Sequence, residues 1–120
     1  MHPNLDNHTI SIVYTLPPRL DILNSAAVGV AIGAAISDAN GAVIGERIEG
    51  APQALILDAR DLTYLSSKGV HTLRRLRKKL QAGGGALTIA GPRRFAREVL
   101  IHGGLKEILK PADADSSRAR

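Results

Sequence analysis

The chain contains no cysteine and no tryptophan, and its only aromatic rings are those of Tyr14, Tyr64 and Phe95. Without cysteine there is no disulfide, no thiolate metal ligand and no thiol nucleophile. The same absence suits a reducing compartment, so a cytoplasmic location is expected. The scarcity of rings leaves little to stack on bases or sugars. Long apolar runs are missing too: the longest uncharged apolar stretch, Ala26 to Ile36, is too short to span a bilayer. Met1 to Asn7 has no basic stretch followed by an apolar run, so no signal peptide is expected. The four histidines, His2, His8, His71 and His102, have no metal-ligand partner three or four residues away, and neither a metal nor a cofactor is expected. Gly83-Gly84-Gly85 lacks the lysine and hydroxyl residue of a phosphate loop and reads as a turn.

What is present suits one domain. The chain has 120 residues, 44% of them hydrophobic, so a single core must be built from Leu, Ile, Val and Ala. The formal charge is +5, unevenly spread. Before Lys68, seven acids (Asp6, Asp21, Asp38, Glu46, Glu49, Asp58, Asp61) face three bases (Arg19, Arg47, Arg60). From Lys68 to Lys110 there are eleven bases against two acids, Glu98 and Glu107. A cationic second half steers an acidic protein, a nucleic acid or an anionic membrane surface, or it simply forms well-solvated helix faces.

Alternation and β-branching predict a strand over Thr9 to Leu16, stopped by Pro17-Pro18. Arg19 to Asp21 reads as a short extended piece or turn. Asn24 or Ser25 caps a helix running to about Asp38 that is apolar on nearly all sides, so the sheet or a partner must cover it. Asn40-Gly41 signals a turn, and Val43 to Pro52 fits a strand, a helical extension or a loop. Ala54 to Asp58, A-L-I-L-D, reads as a buried strand ending in an acid. Leu62 to Leu65 is an apolar connector. After Ser66 and Ser67 comes an amphipathic helix with Val70, Leu73, Leu76 and Leu80 inward, and His71, Arg74, Arg75, Arg77, Lys78 and Lys79 outward. Ala86 to Ala90 is a further buried strand. Pro92 suits the first turn of a third helix ending at Gly103-Gly104, and Leu105, Ile108 and Leu109 pack back on the core. Strand and helix alternate, which predicts an α/β fold with parallel strands joined by right-handed crossovers.

Chemistry concentrates where a strand ends, two serines follow and a helix begins. Free N–H groups and the aligned peptide dipoles favour negative charge there. A serine at that point caps the helix, contributing about 1 kcal/mol. Alternatively it carries a phosphate of about −1.5 to −2 charge. Asp58 reads as a turn or cap residue in preference to a phosphoacceptor or general base. No Ser/His/Asp set can be assembled, so catalysis is not expected.

Here the sequence resembles the STAS domain family, and within it the anti-sigma factor antagonists. The likeness is carried by A-L-I-L-D-A-R-D-L-T-Y-L-S-S-K-G-V-H-T-L, which is similar to a buried strand ending in Asp (Asp58) followed by a serine motif before Gly69 and a helix. L-P-P-R-L-D at Leu16 to Asp21, G-G-A-L-T-I-A-G-P at Gly84 to Pro92, and V-L-I-H-G-G-L-K-E-I-L at Val99 to Leu109 add to it, in matching order. The resemblance covers His8 to Pro111, with residues 1–7 and 112–120 read as loose termini. It implies a STAS-like mixed β-sheet of about four to five strands with helices mainly on one face. It also implies a protein that binds a kinase-type anti-sigma factor in a partner-switching relay. That kinase phosphorylates a serine at the start of the second helix, and a phosphatase reverses it. Ser67 is the first choice of acceptor and Ser66 the second. Asp21, Ser66, Ser67, Lys68, His71, Arg74 and Arg75 form the expected partner surface. Lys68 departs from the family pattern: it stands where the commonly phosphorylated serine or an alanine precedes the glycine. A cation in the first turn is disfavoured by the helix dipole, so Lys68 either pairs with a phosphate or marks a member that is never phosphorylated. The alternatives are a nucleic-acid or anionic-surface binder, and a STAS subunit of a larger assembly without phosphorylation. The apolar helix around Ala26 to Ile36 also offers a surface for a homodimer.

Overall fold

Four parallel strands carry the molecule. In the computed structural model, which describes residues 11–45, 47–50 and 54–111, the chain order begins with β1 (Ser11–Thr15), β2 (Arg19–Leu20) and α1 (Ser25–Asp38). It continues with β3 (Gly41–Ile44), β4 (Arg47–Gly50), β5 (Ala54–Asp58), β6 (Tyr64–Leu65), α2 (Ser67–Ala82) and β7 (Ala86–Ala90). The chain then forms α3 (Arg94–His102), a 3-10 turn (Lys106–Ile108) and β8 (Leu109–Lys110). The main sheet has the order β1-β5-β7-β8, every neighbour parallel. Antiparallel pairing among the described residues is confined to the β3–β4 hairpin. Residues 8–10, and the termini expected to be loose, lie outside the described residues.

The register stacks Ile12, Leu55 and Leu87 in one row and Tyr14, Leu57 and Ile89 in the next, because residues opposite one another in a parallel pair share a face. These rows join one hydrophobic cluster with Val28, Ile32 and Ile36 of α1, Leu73 and Leu80 of α2, and Ala96 and Leu100 of α3. The opposite face is different. Val13 is 64% exposed, and Ile56 and Thr88 are half-buried. The expectation that A-L-I-L-D is buried throughout is therefore corrected: only Leu55 and Leu57 are buried, because helices cover one face of the sheet.

The apolar α1 buries a single stripe, Val28, Ile32 and Ile36, with Ser25 at its start. Asn40, at φ 68°, turns the chain out of the helix in a conformation that asparagine tolerates. The segment that the sequence leaves open is the β3–β4 hairpin. Its one buried side chain among those described, Ile48, lies against the end of α2. A Cβ on Gly83 would overlap the Ile48 carbonyl oxygen, so the glycine allows this close approach. Pro92 falls two residues before α3 and not in its first turn: Arg93 takes the cap position in an extended conformation, and its Nε donates to the Arg60 carbonyl at 2.7 Å. Leu105 and Ile108 are buried as expected, and Leu109 continues into β8 beside β7. No helix among the described residues is long and apolar enough to cross a membrane.

Candidate functional site

A two-rung parallel ladder sets the start of α2. β2 pairs with β6, Arg19 opposite Tyr64 and Leu20 opposite Leu65. The Thr63 N–H donates to the Pro18 carbonyl at 2.7 Å, and the Ser66 N–H to the Leu20 carbonyl at 3.0 Å. The helix then begins directly over this ladder. A Cβ on Gly69 would stand 2.5 Å from the Leu20 carbonyl oxygen and 2.8 Å from Leu65 Cδ1, so only glycine lets the first turn seat there.

The two serines divide the work. Ser66 is the N-cap: its backbone is extended, and its hydroxyl oxygen accepts from the Gly69 N–H at 3.2 Å. It is half-buried. Ser67 is the first helical residue, exposed, and its hydroxyl makes no hydrogen bond among the described residues. Lys68 is exposed beside it, and the first turn of α2 holds no acid.

From there α2 straddles two grooves. Ser67, His71 and Arg74, one turn apart on one face, line a groove of about 490 Å³ against α3, whose far wall holds Phe95, Glu98 and His102. Lys68, His71 and Arg75 line a second groove against α1. The structure thus brings Ser67, Lys68, His71, Arg74 and Arg75 to one end and two sides of a single helix. Arg77, expected on the same outward face, instead reaches the Gly104 carbonyl and Glu107, each at 3.5 Å.

Asp21 and Asp58 are spent within the chain. Asp21 is 6% exposed. Its Oδ1 accepts from the Leu23 N–H at 3.0 Å, and its own N–H donates to Asn24 Oδ1 at 2.9 Å. It folds the entry to α1 and holds Arg19 through an ion pair at 3.2 Å. Asp58 closes the turn after β5. It accepts from the Arg60 N–H at 3.1 Å and pairs with the Arg60 guanidinium at 2.8 Å. The hydrogen bonds from Arg60 hold its carboxyl below the usual range, against the opposing effect of burial.

An aromatic row that the sequence pattern does not single out lies on this face. The Arg19 guanidinium lies 4.5 Å from the centre of the Tyr64 ring, and the Tyr64 and Phe95 rings stack with centroids 6.4 Å apart. Phe95 is 52% exposed. It falls out of step with the Ala96 and Leu100 core stripe of α3, and that misfit is a signal readable in the sequence. His102 completes the groove: its Nδ1 lies 2.8 Å from the Glu98 carbonyl oxygen, which can only accept, so that nitrogen carries the proton.

A family model described as STAS domain matches residues 2–117. Among solved structures, the unphosphorylated form of the anti-sigma factor antagonist SpoIIAA is similar at 24% identity with a TM-score of 0.65, covering 92% of this chain and 90% of that chain. The phosphorylated form of SpoIIAA, a Bacillus cell fate determinant, is similar at 25% identity and TM-score 0.61, covering 92% and 91%. The STAS domain of a SulP transporter from Vibrio cholerae shares the fold at 17% identity and TM-score 0.62, covering 92% and 85%. No curated protein matches the chain. A ladder that feeds a serine-capped helix, on a one-sided parallel sheet, is thus accompanied by a family match across nearly the whole sequence, and the chain belongs to the STAS domain family.

Proposed function

We propose that this protein is a partner-switching binding module, acting by docking and not by catalysis, whose affinity for an anti-sigma factor with serine kinase activity is set by phosphate on Ser67. The observation that carries this reading is the contrast between the serines. The Ser66 hydroxyl is committed to the Gly69 N–H, whereas the Ser67 hydroxyl is exposed and unpartnered among the described residues. A phosphate of about −1.5 to −2 charge on Ser67 would sit at the positive end of α2. Lys68 then changes sign in effect: a cation that opposes the dipole in the unmodified protein becomes the neighbour of a dianion. His71 and Arg74 follow on the same groove wall. Unmodified, the end of α2 is a cationic surface on which a partner's acidic face docks. Phosphorylated, it repels that face, and a phosphatase restores it.

Incubation with the cognate anti-sigma kinase and ATP tests this by intact mass. A gain of about 80 Da is expected on the wild type and on Ser66→Ala, and none on Ser67→Ala. Ser67→Asp is expected to weaken binding to the same kinase, while Ser67→Ala retains it. No mass gain, or a gain that survives loss of both serines, overturns the assignment. Full binding by Ser67→Asp without any mass gain points instead to a STAS module that docks without modification.

A further inference from the structure

We propose that the groove between α1 and α2 is the seat of an acidic amphipathic helix supplied by a partner protein. This deepens the reading above by naming the chemistry of the docking segment, and it rests on that reading only for the choice of α2 as the docking element.

The groove measures about 360 Å³. Its floor is apolar: Ala26, Gly29 and Val30 from α1 and Leu76 from α2. Val30 is 74% exposed, so the floor is not covered by this chain. Its α2 wall is cationic, with Lys68 at one end and Lys79 at the other, and no carboxylate among the described residues lines it. Gly29 has no internal reason to lack a side chain, since a Cβ there would meet nothing within 4 Å. A glycine inside a helix weakens it relative to alanine, and here the missing side chain leaves the floor open enough for another backbone to approach.

The wall from Lys68 to Lys79 runs along three turns, roughly 16 Å of helix. An occupant of about eleven residues fills that length, with an apolar stripe downward and carboxylates toward α2. The described helices of a second copy of this chain do not offer one. Among the described helices, α1 has a single acid, Asp38, α2 has none, and α3 sets Glu98 against Arg94 and Arg97. Charge complementarity and shape together select a partner's acidic helix.

The probe is a fluorescein-labelled synthetic helix of about 18 residues, Leu at i, i+3, i+4 and i+7 and Glu on its flanks, read by anisotropy against the full chain. Amide shifts in a heteronuclear NMR titration locate it. Saturable binding is expected for the Glu helix, and none for its Lys counterpart or for a scrambled sequence of equal charge. Shifts are expected along the facing sides of α1 and α2. Gly29→Leu, which fills the floor in open space, and Lys79→Glu, at the half-buried far end of the wall, are each expected to weaken binding about tenfold. Arg97→Glu, outside this groove, leaves it unchanged. No binding, equal binding of the scrambled helix, shifts elsewhere, or insensitivity to both groove variants overturns the proposal. Displacement of the helix by phosphatidylserine vesicles that themselves bind in the groove also overturns it, in favour of a membrane surface. A chain that gains phosphate on Ser67 but ignores the helix sinks this inference alone. A chain that seats the helix but is never phosphorylated sinks the phosphorylation reading alone.

Discussion

At the scale of single residues, two glycines in helices have opposite meanings. Gly69 is pressed against the Leu20 carbonyl and Leu65, whereas Gly29 faces open space. Replacing a helical glycine by alanine removes backbone freedom from the unfolded chain and is favourable by up to about 1 kcal/mol where the new methyl fits. Gly29→Ala is therefore expected to raise the urea midpoint. At Gly69 the methyl would displace backbone, and overpacking costs about 1–3 kcal/mol, which exceeds the propensity gain. Gly69→Ala is expected to lower the midpoint and to disturb the ladder under Ser66. Equal effects of the two substitutions would refute the seating of α2 on Leu20. The same local logic explains Asp21 and Asp58, whose carboxylates are occupied by neighbours two residues away. Such short-range turns leave no mark in composition that separates the buried Asp21 from an exposed acid.

At the scale of elements, α2 carries both its own cap and the candidate switch. The cap contributes through one hydrogen bond to the Gly69 N–H, so Ser66→Ala is expected to cost about 1 kcal/mol. Ser67→Ala, which removes an exposed hydroxyl without a partner among the described residues, should stay within about 0.5 kcal/mol. Thermal or urea unfolding of the two variants measures the difference, and a larger loss at Ser67 would mean that it is the cap. What was legible in advance follows from the same physics. The period of Val70, Leu73, Leu76 and Leu80 announced α2 because its outer face is charged. The serine cap was legible because helix starts need one. The buried stripe of α1 was not legible, since Ala and Val surround it and no polar face marks which side turns in. β2, β6 and β8 are two residues long, and their pairing depends on partners distant in the chain, which no local pattern records. The β3–β4 hairpin hid because Val43 and Ile44 are exposed and its anchor is one residue, Ile48.

At the scale of the whole molecule, the fold is asymmetric about its sheet. Core, helices and both grooves of α2 lie on the side of Leu55, Leu57, Leu87 and Ile89, while Val13 faces outward from the other. A parallel sheet with both faces covered would penalise polar substitution on either. Here the two faces should respond differently. Leu57→Ala empties a site that is fully buried and is expected to cost about 2–5 kcal/mol. Val13→Thr keeps the β-branched shape at a position already open to water, so it should change stability by no more than about 0.5 kcal/mol. Had a second layer covered Val13, its new hydroxyl would lose water without a partner, at about 1–3 kcal/mol. Urea unfolding of the two variants therefore reports which face is closed. Because the outer face is removed from both grooves of α2, Val13→Thr should also leave partner binding at wild-type strength. A loss of binding there, with stability intact, would move the docking surface to the far side of the sheet and away from Ser67.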